Sequence, residues 1–414
     1  MEMTKPLAQP ADEGMSKEKA DYEKCKRIAD APNILAVLDE ELRGCGLVGE
    51  RANANLIFLS SYTRHFDKPV SLVIQGSSGA GKSNLLNTAL RFVDPRSYVA
   101  LGGTSEKALI FTNRDLRHKH LVIQEMASLG GEDGMRYLRQ ILSEGSITYE
   151  MTVIDREVPG TEIMQTDGPM GLMMTTTETN LNHEDQTRLL PITLDESPEQ
   201  IKAVLLAKAV AVAGGVTARA EFEEWHVFDQ FISESVPKII IPFAENMVCG
   251  IGAHSHRMKR DVDQLFSLIQ AHALIHQMHR ERDGNGALLC DYEDYAVVRE
   301  LMEPVVSRGL EQTVPTDIRE VLAAVKAISE KNSRKVVSQN EIVEFFGSDR
   351  HSASIDKSNV SRRVAKALKT PYLLNFCKDK GKSDQLVLAH PLPEDNQILP
   401  TVEDVKAPII EMQA

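Results

Sequence analysis

The sequence predicts an α/β protein with a parallel-sheet core that carries a glycine-rich loop, followed by a small basic α+β module. Three observations predict it. Val70 to Leu86 reads VSLVIQGSSGAGKSNLL, a β-branched apolar run, a glycine-rich turn and the start of a helix. Two more short apolar runs, His120 to Glu125 and Pro169 to Thr177, have the composition of buried strands and end in polar residues. The third is a charge asymmetry: Lys326 to Lys382 holds thirteen Lys or Arg against six Asp or Glu, +7 within a chain of net charge −13, so the remainder carries −20.

The 414 residues allow two or three domains and a sizeable core. With Lys+Arg 47 against Asp+Glu 60, the balance excludes a protein that simply coats nucleic acid. Five scattered cysteines without a C-x-x-C pair indicate neither a zinc site nor a disulfide framework. The N-terminus lacks the apolar stretch of a signal peptide and no apolar run is long enough to span a bilayer. A cytoplasmic protein with no membrane partner is the expectation.

In chain order, residues 1–31 are polar and read as a mobile tail with room for a helix near its end, and 32–66 as a helical pair. In that pair, Pro32 to Leu42 has apolar residues at helical spacing, Gly44 and Gly46 interrupt it, and Glu50 to Arg64 resumes it. Residues 67–315 form the expected nucleotide-binding core and a helical lid. Within them Gly76 to Ser83, GSSGAGKS, matches G-x-x-x-x-G-K-[ST] in full. Glycines let the backbone fold tightly enough for its N–H groups to surround a phosphate, and the helix that follows presents its positive end to the same anion. The expected nucleotide contacts are Gly76, Ser77, Ser78, Gly79, Ala80, Gly81, Lys82, Ser83 and Asn84, with Lys82 on the β/γ-phosphates and Ser83 on Mg²⁺. ATP and Mg²⁺ are thus the expected cofactors.

Tyr98 to Leu101 reads as a short strand and Glu106 to Phe111 as a short helix. The strand from His120 ends in Gln124 and Glu125. In P-loop ATPases these positions place one carboxylate near Mg²⁺ and the next beside the attacking water, so Glu125 is the candidate general base. Gln124, in place of a carboxylate, contributes a hydrogen bond and no charge to the metal site. Met135 to Leu142 reads as a helix, and Ser146 to Val153 and Thr161 to Thr166 as a hairpin turning over Asp155 to Gly160. The strand ending in Thr175, Thr176 and Thr177 then lies beside the γ-phosphate if it neighbours the P-loop strand.

This order of P-loop, acidic strand, hairpin and Thr-rich strand, followed by Asp185 to Asp195 (DQTRLLPITLD), resembles the AAA+ ring ATPases of the MCM-like and superfamily 3 helicase group. It is most similar to the helicase module fused to primases in phages, plasmids and other mobile elements. The resemblance implies an AAA+ core with a pre-sensor hairpin pointing into a ring channel, and assigns the channel-side DNA contact to Arg156. It puts sensor 1 on Thr177 or Thr176, the inter-subunit arginine finger on Arg188, and sensor 2 at the start of the helix from Arg257, on Arg260 or alternatively Arg257. It also implies a homo-oligomer, a hexameric ring, acting on DNA, with any primase or polymerase supplied by a separate chain. The hairpin turn carries Asp155 and Glu157 around its one cation, and a Thr stands where MCM proteins carry Asn at sensor 1.

Pro198 to Ala213 and Arg219 to Glu234 read as helices, Lys238 to Ile251 as a buried apolar segment, and Asp291 to Val306 as a helix leaving through Pro304 and Pro315 into a linker. Residues 316–392 have their own punctuation. Thr316 to Ser329 is a helix, Ser338 to Glu341 a capping box for the next, and Ser358 caps a third that carries Arg362, Arg363, Lys366 and Lys369. Leu373 to Cys377 and Gln385 to Ala389 then flank a turn containing Lys380. Three helices and a two-stranded wing spell a winged helix-turn-helix, with Arg362, Arg363, Lys366 and Lys380 as candidate DNA contacts. Residues 393–414 are acidic, contain proline and read as disordered. The function expected is an ATP-driven DNA helicase or translocase; the alternative is a DNA-stimulated ATPase that loads, remodels or signals without unwinding.

Overall fold

A computed structural model describes residues 10–102, 114–126, 132–155, 158–178, 188–214, 222–251, 258–313, 316–348, 357–370, 372–377, 384–389 and 398–407. The chain forms two compact units, one of Met1–Val305 with Pro400–Ala414 and the other of Val306–Leu399.

The first unit is α/β. Strands β1 (Leu72–Gln75), β2 (Tyr98–Leu101), β3 (Lys119–Ile123), β6 (Met170–Thr176) and β7 (Leu190–Thr193) make one parallel sheet in the order β2-β3-β6-β1-β7. Between β3 and β6 in sequence lie α5 (Glu132–Glu144) and an antiparallel hairpin of β4 (Ser146–Asp155) and β5 (Val158–Asp167). The hairpin is tighter than expected. Asp155 pairs with Val158, and Pro159 and Gly160 belong to β5 opposite Ile154 and Val153. Arg156 lies outside the described residues, as does the helix expected over 106–111.

Residues expected to form a mobile tail, helical only near its end, instead make the twenty-residue α1 (Pro10–Ala29), beside α2 (Ile34–Gly44) and α3 (Arg51–Tyr62). The reason is a distant partner, α7 (Phe222–Glu234). Arg27 bonds Glu224 at 2.6 Å and Glu41 at 2.7 Å, Lys17 pairs with Glu234, and Tyr22 meets Phe231. Trp225 of α7 is fully buried edge-on to Phe58 and Phe92. Beneath it, buried Asp229 takes hydrogen bonds from Arg64, from Asp94 N at 3.0 Å and from Ser97 Oγ at 2.7 Å. These donors satisfy that carboxylate out of water.

Helix α4 (Lys82–Leu90) follows β1, and α6 (Pro198–Val212) follows β7. Further on, β8 (Ile239–Ile240) pairs with β9 (Leu288–Leu289), and α8 (Ala244–Gly250), α9 (Met258–Ile275) and α10 (Tyr292–Thr313) surround them. The stretch 238–251, expected to be buried, buries Ile239, Phe243 and Met247 and leaves Val248 and Cys249 exposed, because a helix hides only one face. Helix α10 also runs through Pro304, where an exit had been expected. A proline removes one hydrogen bond to the preceding turn, and buried Leu301, Met302 and Val305 hold the helix in place.

In the second unit α11 (Thr316–Lys331), α12 (Gln339–Ser348) and α13 (Lys357–Ala367) pack around Val321, Val325, Ile342, Val360 and Val364, with β10 (Leu373–Asn375) antiparallel to β11 (Leu386–Leu388). Ser338 and Glu341 form the expected capping interaction, Ser338 N donating to Glu341 Oε2 at 2.8 Å and Glu341 N to Ser338 Oγ at 3.4 Å. Ser358 lies one residue inside α13 instead of capping it. The final segment, expected to be disordered, includes α14 (Val402–Lys406), capped by Thr401 and Asp404 and laid on the first unit. Tyr295 OH donates to Pro400 O at 2.6 Å, and Asn246 Nδ2 to Val405 O at 3.0 Å.

Two buried histidines make the first unit acid-sensitive. His276 accepts from Ile34 N through Nε2 and donates through Nδ1 to His272 O, which fixes it neutral, and burial lowers its pKa to about 3. His120, against Val70 O, is lowered by burial to about 4. Unfolded histidines bind protons below pH 6.5 and these folded ones do not, so stability is full above that pH and falls as the pH drops toward 4. At pH 5 each site is expected to have cost about 2 kcal/mol relative to neutral pH, to be read as a falling urea midpoint, and His276→Gln should flatten the slope.

Candidate active site

All five core strands point the same way, so the residues that follow them converge at one edge of the sheet. β1 delivers the loop from Gly76 to Gly81, and its neighbours β6 and β7 deliver Thr176 and Thr193 level with Gln75. Gly79 and Gly81 have φ of +82° and +102°, conformations that side chains with a Cβ rarely adopt. They fold the backbone back before α4, whose free N–H groups face the loop. Lys82, the first residue of α4, is buried, and its Nζ donates to Gly76 O at 2.9 Å and Ser77 O at 2.8 Å. Ser77, Ser78, Gly79, Ser83 and Asn84 face solvent, while Ala80 and Gly81 are half-buried.

Gln124 and Glu125 leave the end of β3 beside β6, both half-buried. Gln124 Nε2 donates to Asn87 Oδ1 at 2.8 Å, and the hydroxyl of Thr175 donates to Gln124 O. Asn87 lies one helical turn after Ser83, so the amide is held on the α4 face that carries the serine. Ser83 and Gln124 could hold a divalent cation together with a triphosphate, with the negative charge coming from the nucleotide. Of the two sensor 1 candidates, Thr176 is buried and accepts from Glu178 N at 3.1 Å, whereas Thr177 is exposed just past the strand. Thr177 is the one with access to a ligand.

Arg188 and Arg260 are brought together, away from this edge. Arg188 precedes β7 and Arg260 is in the first turn of α9; both line a cavity of about 460 Å³ with Ser71, Ser143 and Pro169, at the opposite end of the sheet. Arg188 Nε donates to Ser143 Oγ at 2.7 Å. Four-residue strands put roughly 13 Å between the two edges. Arg257 is outside the described residues.

Sequence reasoning missed Glu196. Its carboxylate takes a hydrogen bond from Ser77 N at 2.7 Å and from Ser77 Oγ at 2.8 Å, and these hold its pKa below the usual carboxylate range. Gly76 has no side chain at the point where Glu196 Oε1 approaches, 3.0 Å from where a Cβ would stand. An anion already on the loop competes with a phosphate. Glu196→Ala is expected to tighten nucleotide binding roughly three- to tenfold, the scale of one hydrogen bond, in an equilibrium titration. Weaker binding would show that Glu196 shapes the loop instead.

On the second unit the candidate DNA contacts divide. Arg362 bonds Asn359 and lines a cavity of about 660 Å³ with Gln339, Lys357, Ser358, Ser361 and Ala365. Arg363 instead pairs with Glu320, and Lys366 with Asp317 at 2.7 Å, holding that carboxyl below its usual range. Lys380 is outside the described residues.

No family model matches the chain, and no curated protein does. Among solved structures it is similar to a protein assigned as an ATPase from Cytophaga hutchinsonii, with 14% identity over 71% of this chain and 89% of that one, TM-score 0.40. It is also similar to the Aeropyrum pernix ORC1 protein in complex with DNA, with 14% identity over 84% and 92% of the two chains, TM-score 0.28. No described helix is long and apolar enough to cross a membrane.

Proposed function

We propose that this chain is an AAA+ ATPase that works as a homo-oligomeric ring, a hexamer, and spends ATP on moving along or unwinding DNA. One observation carries the reading: the phosphate loop and Glu125 share one edge of the sheet, while Arg188 and Arg260 lie at the other. A site so divided is completed by a neighbouring copy that presents its arginines to this loop. Within it Lys82 and the loop amides hold the triphosphate, Glu125 takes the proton of the attacking water, Thr177 orients that water, and Arg188 meets charge developing on the transferred group. ATP and Mg²⁺ are the cofactors and DNA the track. The second unit acts as a winged helix that meets the DNA backbone through Arg362, and the β4–β5 hairpin faces the channel. Replication of a mobile element, beside a separate primase or polymerase, is the setting.

A second reading, a loader or remodeller that does not unwind, is favoured by the pairing of Arg363 and Lys366 with acids, which lowers the charge available to phosphates. The test is a forked DNA duplex incubated with the protein and ATP, beside Lys82→Ala. Strand separation by the parent alone supports the helicase. DNA-stimulated hydrolysis without separation supports the loader.

A further inference from the structure

Helix α6 is apolar nearly all round. Its sequence, PEQIKAVLLAKAVAV, has three charged residues, Glu199, Lys202 and Lys208. A helix without a polar face belongs inside something. Yet none of its residues is buried: Ile201 is 53% exposed, Leu205 60%, Leu206 57%, Val210 60% and Val212 90%. Only Gln200, Ala203, Val204 and Ala207 are half-covered, and among the described residues nothing encloses the other face. Contiguous exposed apolar surface of this kind marks an interaction site.

The position of α6 says what covers it. Its first turn is fastened beside the phosphate loop. Ser197 caps the helix, the preceding Glu196 holds Ser77, and Gln200 Nε2 donates to Val48 O at 2.7 Å. Beyond that anchor the helix leaves most of its surface exposed. The nucleotide edge lacks the arginines that stand together at the far end of the same sheet. A copy that brings its Arg188 to this loop must therefore approach the edge to which the first turn of α6 is fastened.

We propose that the exposed half of α6, which carries Ile201, Leu205, Leu206 and Val210 around Lys202, is the docking surface for a second copy of this chain, an inference that rests on the ring reading above. The nucleotide site and the subunit contact are then adjacent through Glu196 and Ser197. A triphosphate that displaces Glu196 from Ser77 loosens the root of the helix that the neighbour grips.

The test uses the full chain carrying Leu205→Asp and Leu206→Asp, exposed positions outside the nucleotide site. In sedimentation velocity with ATP the parent is expected to assemble. The variant is expected to stay monomeric at that concentration and to need a concentration roughly tenfold higher or more to assemble. Its nucleotide affinity per chain is expected to be unchanged and its hydrolysis lost. Assembly of the variant equal to the parent's overturns the docking surface and leaves the ring reading standing. A parent that is monomeric at every concentration and hydrolyses ATP at a concentration-independent rate overturns both. Hydrogen exchange separates the remaining occupant: protection of α6 in the concentrated parent, lost on dilution, supports the second copy. Protection that persists in the dilute monomer shows that the chain covers the helix itself and overturns the proposal.

Discussion

Lys82→Ala is expected to leave a folded protein that binds ATP far more weakly and no longer turns it over. Nothing else in the loop can replace it. Lys82 is the cation at the start of α4, buried, with its ammonium group against two loop carbonyls instead of water. Those carbonyls hold it at the centre of the turn, from which it moves to the phosphates without leaving the loop. Hydrogen bonds to charged groups are the strong ones, and losing this one should weaken binding by roughly a hundredfold, about 3 kcal/mol. Phosphate release should then fall to background. The loop keeps its shape through the backbone angles of Gly79 and Gly81, so the melting temperature should move little. Tight binding by the alanine variant would remove the nucleotide site from this loop.

The second large effect is expected at Arg188. Arg188→Ala should keep nucleotide affinity and lose hydrolysis by a factor of about 10³ to 10⁵, the worth of an arginine finger. Arg188→Lys should recover little, because the planar guanidinium is what spans two phosphoryl oxygens. The decisive form mixes two dead proteins. Arg188→Ala retains Glu125, and Glu125→Gln retains Arg188, so a mixed ring contains interfaces with one good copy of each. Phosphate release above the sum of the two separate preparations is the expected result. No gain on mixing would place the arginine's effect within its own chain, against the separation of the two sheet edges.

What was legible in the sequence was local. The P-loop is written in consecutive residues, and the strand, the two left-handed glycines and the helix stand where that spacing puts them. Ser338 and Glu341, three residues apart, cap their helix for the same reason. What was not legible depends on pairs distant in the chain. Residues 10–29 look like a soluble tail until Glu224 and Glu234, some two hundred residues on, give Arg27 and Lys17 their partners. Glu196 is an unremarked acid until the parallel pairing of β1 and β7 sets it over Ser77. Charge on α13 was readable, but its direction was not: Arg363 and Lys366 turn to α11 while Arg362, their neighbour, lines a cavity.

The return of the chain to the first unit at Pro400 makes the second unit an insertion, held by two connections instead of one. A module on a single leash can wander as far as its linker allows and is lost with one cut. This one is tied at both ends, and a protease that nicks one connection leaves it captive by the other. Under the proposed function, DNA gripped by the second unit is tethered to the phosphate-loop unit through both connections for as long as the C-terminal anchor stays docked.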